Sequence, residues 1–178
     1  MRDGVEFNAT SGHGLCVNIP FRHGFGVGAI LALIFGTYLA FLWQADHQVE
    51  LHTAHLLRKM EKHDWSGIEN AIAQDYRDDW GDDRERLLTR LREVLGFARN
   101  MKITTIAPDV LPEGRDRKWS ARVQVDGDDN EVMGEIKQRV NPLSTPFQLQ
   151  WRRQSSKPWD WKLVRVSNRE LKIEGEGY

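Results

Sequence analysis

The stretch LLTRLREVLGFARNMKITTIA, residues 87–107, contains the point at which the hydrophobic period of the chain changes. Upstream of Asn100, Leu87, Leu88, Leu91, Val94 and Leu95 recur at three- and four-residue spacing, which lines one face of a helix. Asp82 or Asp83 stands at its N-cap position and Glu85 in its first turn, so a helix running to Arg99 is predicted. Downstream of Asn100 the period is two. MKITTIA (101–107), KWSARVQV (118–125), EVMGEIKQRV (131–140), FQLQWRR (147–153) and WDWKLVRVS (159–167) read as strands. PDVLPEGRDR, DGDDN, NPLSTP and QSSKP read as the turns between them. Trp119, Ala121, Val123 and Val125 share one face of a strand, as do Phe147, Leu149 and Trp151, so each strand has a buried and a wet side. Helices followed by strands predict an α+β fold, with helices packed on a curved antiparallel sheet.

Working back towards the amino terminus, Ser66 followed by Glu69 is a capping-box pattern that predicts a short helix to Ala73. From His47 to His63 the composition is helix-forming, with Val49, Leu56 and Met60 at helical spacing. That helix is read as a continuation of the stretch before it, GFGVGAILALIFGTYLAFLW (24–43), which has no charged residue in a chain that is 29% charged. Twenty helical residues span about 30 Å, the hydrocarbon thickness of a bilayer. A cleavable signal peptide would have a shorter apolar region, a basic start and small residues before the cut, whereas here Trp43 would stand three residues before it. The stretch is therefore read as a retained transmembrane helix, with Trp43 at the interface. Cys16 precedes it and so is not a lipidation site; as the single cysteine it also excludes an intramolecular disulfide.

Gly24, Gly28, Ala32, Gly36 and Ala40 recur every fourth residue and form a ridge of small side chains, the kind of surface on which membrane helices pack. No ionisable residue interrupts the span, which argues against a proton path or a haem ligand within it. The immediate flanks, FRHG and WQADHQVE, favour a cytoplasmic amino terminus and an extracytoplasmic domain. The organisation predicted is a polar tail (1–23), a transmembrane helix (24–43), a juxtamembrane helix (44–65), an α+β domain (66–168) and a tail (169–178). From Asp46 onward there are 23 Lys and Arg, once Arg2 and Arg22 are set aside from 25, and 24 Asp and Glu, once Asp3 and Glu6 are set aside from 26. That balance does not favour a nucleic-acid partner.

The run HDWSGIENAIAQDYRDDWGDDRERLLTRLREVLGFARNMKI and the closing WRRQSSKPWDWKLVRVS together resemble bacterial nuclear transport factor 2-like (cystatin-like) domains. The likeness covers roughly 47–167 and rests on an A-x-x-x-DY-x-D-x-x-G turn, here Asp75, Tyr76, Asp78 and Gly81, and on a final tryptophan strand, here Trp159 and Trp161. The resemblance implies a cone of helices and curved sheet, with Asp and Gly making the turn and Tyr76 packing the mouth. It further implies a membrane-anchored bacterial member in the inner (cytoplasmic) membrane with its domain in the periplasm. The superfamily includes isomerases, dehydratases and hydrolases as well as members without chemistry, among them anchored assembly subunits of secretion machines. No strand pair is read between the second and third helices, which implies a smaller cone than in many of the enzymes.

His52, His55 and His63 lack the further ligands that a metal site requires. Tyr76 with Asp75 or Asp64 offers an acid and base for an enolisable ketone, but adjacent residues do not face one another, so capping and packing explain them better. Trp151 and Trp161 read as core; Trp159 reads as an interface anchor on a loop or as buried beside Trp161, the latter being preferred. Tyr76, Trp80 and Trp159 are the candidates for an interface or pocket lining. The function expected is a non-catalytic, single-pass accessory subunit without cofactor. Its partners would be the lipid bilayer and other membrane subunits of a secretion, respiratory or photosynthetic complex. The alternative is a tethered ligand-binding or isomerase- or dehydratase-like cone.

Overall fold

The computed structural model describes residues 21–172, with burial given from Phe25 onward; Cys16, the rest of the leader and the tail from 173 lie outside the described residues. The chain divides into two units that part between Tyr38 and Leu39.

The described part of the first unit belongs to α1 (Phe21–Leu42), whose last turn falls in the second. Its segment Phe25–Leu42 has a mean hydropathy of 2.2 and is long and apolar enough to cross a membrane. The hydroxyl of Thr37 donates back to the carbonyls of Leu33 and Ile34, at 3.0 and 2.9 Å, so this polar group is satisfied within the helix. The helix does not run on into the next, contrary to expectation. Gln44 takes an extended conformation (ψ 133°), and the Gln48 side chain donates to the Leu42 carbonyl at 2.6 Å, which satisfies a carbonyl left open by the break.

In the second unit, α2 (Ala45–Glu61) buries Val49, Thr53 and Leu56. It ends where His63 adopts a left-handed φ of 53°, with Asp64 N–H returning to the Lys59 carbonyl. That reversal places Asp64, rather than Ser66, as the cap of α3 (Trp65–Ala71); its carboxylate accepts from Gly67 N–H at 2.9 Å. A side chain at Gly67 would run into that carboxylate, at 2.2 Å from the added carbon. Glu69 instead reaches Arg84 and Arg92. Between the two predicted caps of α4 (Arg84–Leu95), Asp83 is the one that serves, accepting from Arg86 N–H at 3.0 Å. The helix stops at Leu95, short of Arg99, and Phe97 is exposed.

Four strands, β1 (Lys102–Glu113), β2 (Asp116–Asp126), β3 (Phe147–Arg153) and β4 (Trp161–Ser167), pair antiparallel in chain order. The stretch PDVLPEGRDR is not a loop: it carries the paired ends of β1 and β2, closed by Gly114 and Arg115. Gly114 at φ 63° opens that two-residue turn, a position where a side chain would be strained. Its prolines fit because Pro108 lies in the register break between Ile106 and Asp109 and Pro112 on an edge strand. Ala107, at φ 51°, forms the bulge that bends the hairpin. EVMGEIKQRV is likewise not a strand but α5 (Glu131–Val140), inserted between β2 and β3. Among the described residues no strand pair separates α3 from α4, only isolated bridges at Ile72 and Arg77. The core has one cluster around Ile68, Tyr76, Trp119, Trp151 and Leu163 and a second around Leu95, Met101, Val125 and Met133.

Candidate functional site

Helices and bent sheet line a half-open cavity of about 430 Å³. Its walls are mainly apolar: Leu57 and Met60 from α2, Leu91 from α4, Val123 from β2, Ile136 from α5 and Phe147 from β3 are among them. Polar groups line it as well: the turn 76–83 contributes Tyr76, Asp78, Trp80 and Asp82, α4 contributes Arg90, and Arg139 and Lys172 complete them.

The turn is held by its own side chains. One Asp78 carboxylate oxygen accepts from the N–H groups of Trp80 and Asp82, at 3.0 and 2.8 Å, while Asp78 N–H donates to the Asp82 carbonyl. Gly81 completes it at φ 87°. The segment is laid along β4 by Ala73, Arg77 and Asp79 N–H groups donating to the carbonyls of Leu163, Val164 and Val166. Tyr76 is buried, with 1% of its surface exposed, and its hydroxyl donates to Asp78 at 3.4 Å. Burial pushes the phenol well above its ordinary value, and the charges of neighbouring aspartates push it further, so it stays protonated. Burial also raises the Asp78 carboxyl, against the backbone donors that lower it. Buried Asp82 is paired with Arg90 at 2.9 Å, and Trp80 donates its indole N–H to the Leu171 carbonyl at 2.8 Å. Each of these acidic or phenolic groups thus has a partner in the turn or in α4, and none is left aimed into the apolar volume as a ready base.

Of the site residues singled out by sequence, Tyr76 and Trp80 line the cavity together, while the others lie apart from it. Asp75 is exposed and bonded to Arg152 at 2.7 Å, and Asp64 is the cap of α3, so neither joins Tyr76. His52 lies against Trp151, with ring centroids 5.9 Å apart, and bonds the Trp159 carbonyl at 2.9 Å. Burial lowers its pKa. No cluster of metal-ligating side chains exists among the described residues. Trp159 is not buried beside Trp161: β4 begins only at Trp161, the preceding residues form a turn, and Trp159 is 54% exposed. On α1, Gly28, Ala32, Gly36 and Ala40 are exposed, with open space beside both glycines; Gly24 precedes the residues whose surroundings are described. Sequence reasoning missed Arg90, whose pairing with Asp82 joins a turn to a helix and has no periodic signature, and the docking of Leu171 on Trp80.

Solved structures share this fold. The chain is similar to a nuclear transport factor 2-like protein of unknown function from Pseudomonas putida KT2440, with 12% identity and a TM-score of 0.51 over 75% of this chain and 96% of that one. It is also similar to Bd1075 of Bdellovibrio bacteriovorus, with 7% identity and a TM-score of 0.52 over 67% of this chain. The match spans 38% of the length of Bd1075. No protein-family model and no curated protein matches the chain. At these identities the likeness establishes the fold, a nuclear transport factor 2-like α+β cone, and not an activity.

Proposed function

We propose that the chain is a non-catalytic, single-pass membrane protein whose cone takes up an apolar or amphipathic small molecule. The cavity carries this reading: its 430 Å³ lies in the range of small-molecule sites, its walls are mainly apolar, and the acidic groups of the turn are bonded within the turn or to Arg90. The test is photolabelling of the full chain in lipid nanodiscs with a diazirine-bearing alkyl probe. Label should fall on cavity residues such as Leu91 and Ile136, compete with unlabelled alkyl compound, and decline in Val123→Trp. Label confined to α1 would refute it.

The structural role of Asp78 in the turn is tested by substitution. Asn at this position keeps an acceptor for both backbone N–H groups, so Asp78→Asn should fold and still bind the alkyl probe. The folded carboxyl titrates above its ordinary value of 3.8, so the folded state holds the proton longer than the unfolded one. Stability contributed by this group is therefore fully present below that value and is lost as pH rises through the folded pKa. The melting temperature of the parent should fall relative to Asp78→Asn over that window and stay offset at neutral pH.

The exposed ridge Gly28, Ala32, Gly36 and Ala40 supports a further part of this reading, lateral packing against other subunits of a membrane assembly. Replacing Gly28, Ala32 and Gly36 with Leu keeps the segment apolar enough to insert while holding a neighbouring backbone away. The triple variant should reach the membrane yet separate from co-purifying subunits in mild detergent.

A further inference from the structure

The β1–β2 turn and the loop from β3 to β4 lie at one end of the sheet, because Arg117 is in register with Trp151 and Arg153 with Trp161. The start of α2 lies at the same end: Arg117 Nε is 2.6 Å from the Asp46 carboxylate, and His52 holds the Trp159 carbonyl. Asp46 comes four residues after Leu42, and four residues reach at most about 14 Å even when fully extended. Whatever angle α1 takes, covalent connection therefore leashes this end of the domain close to the last apolar residue of the span.

Its surface chemistry suits a lipid interface. Trp159 turns its side chain outward while its backbone is fixed by His52, and the Pro158 carbonyl beside it accepts from the Trp161 indole at 2.8 Å. Trp43, 52% exposed, sits just past the end of α1. Arg115, Arg153 and Lys157 are exposed and have no ion-pair partner among the described residues. Most carboxylates at this end face a cation: Asp46 pairs with Arg117, Glu113 with Lys118, and Asp75 and Asp116 share Arg152, which leaves Asp160 and one charge of that shared group against three unmatched cations. Tryptophan favours the headgroup level of a bilayer, and Lys and Arg near an anionic surface are attracted to it.

We propose that this end of the domain docks on the headgroups of an anionic bilayer, with Trp159 at the interface and Arg115, Arg153 and Lys157 against lipid phosphates. The inference rests on the reading of α1 as the membrane anchor. To test it, the full chain carrying Cys16→Ser and Ser156→Cys is labelled with a fluorophore at position 156 and reconstituted in phosphatidylcholine vesicles, with or without phosphatidylglycerol, that contain headgroup-nitroxide lipid. A label at Phe97→Cys, near the opposite end of the sheet, serves as the control. Quenching should appear at 156 and not at 97, strengthen with phosphatidylglycerol, weaken in high salt, and be lost in the double variant Arg153→Glu, Lys157→Glu. Trp159→Ser should reduce it with the fold intact by circular dichroism. A chain that floats with the vesicles but shows no more quenching at 156 than at 97 overturns the docking and leaves the anchor standing. A chain that does not float overturns both.

Discussion

KWSARVQV (118–125) alternates strictly and EVMGEIKQRV (131–140) loosely, through Val132, Ile136 and Val140, and the first is β2 while the second is α5. In β2 the alternation is genuine: Trp119, Ala121 and Val125 are buried and Arg122 and Gln124 exposed. In α5 it coexists with a second period, since Met133, Ile136 and Val140 also stand three and four residues apart, and these pack into the second core cluster. The ends decide between the two. Asn130 accepts from Met133 N–H at 2.8 Å as an N-cap, Glu131 lies in the first turn, and Lys137 and Arg139 lie in the last, where they oppose the helix dipole. A short apolar run with two periods is therefore read from its boundaries.

The largest test of this contrast is Met133→Ala. Met133 is fully buried, with its terminal methyl packed towards Gly127, where an added carbon would lie 2.9 Å away. A strand with Val132, Ile136 and Val140 inward would turn Met133 to solvent and make the change almost neutral. On the helix it should cost about 2–4 kcal/mol, read from denaturant unfolding of the detergent-solubilised chain by tryptophan fluorescence. Asn130→Ala comes next, at about 1 kcal/mol for the lost cap, and Asn130→Asp should restore most of that. Equal stability of all three proteins would mean that the cap does not select the helix.

The same distinction explains what was legible elsewhere. Long segments with one period were read correctly as elements: α1 as an apolar helix, α4 as a helix that buries Leu88 and Leu95 but leaves Val94 exposed, and the inward faces of β2 and β3. The turn at Asp78 and Gly81 was legible because each residue has a local task, an acceptor for nearby N–H groups and a left-handed φ. The caps at Asp64 and Asn130, the break at Gln44 and the hairpin through Pro108 and Pro112 were misread or overlooked. Each is settled by a neighbour that the local pattern does not name, such as the reversal at His63 or the side chain of Gln48. Of the cavity only two lining residues, Tyr76 and Trp80, were legible. Its volume depends on how far the bulge at Ala107 bends β1 and on α5 adding a wall, and the second of these had been assigned to the sheet.

The smallest expected effect has the opposite sign. Gly134 lies inside α5, exposed, and a methyl group added there would meet nothing within 4 Å. Glycine in a helix interior is less favourable than alanine because it loses more backbone freedom on folding, by roughly 0.5–1 kcal/mol. Gly134→Ala should therefore raise the unfolding midpoint by about that free energy and leave the slope of the transition unchanged. On a strand with Val132, Ile136 and Val140 inward, position 134 would share their face, and the same methyl would be forced against the neighbouring sheet or helix. The two assignments thus predict changes of opposite sign from one added carbon. A stabilised variant supports the helix, and a destabilised one returns residues 131–140 to the sheet and removes α5 from the wall of the cavity.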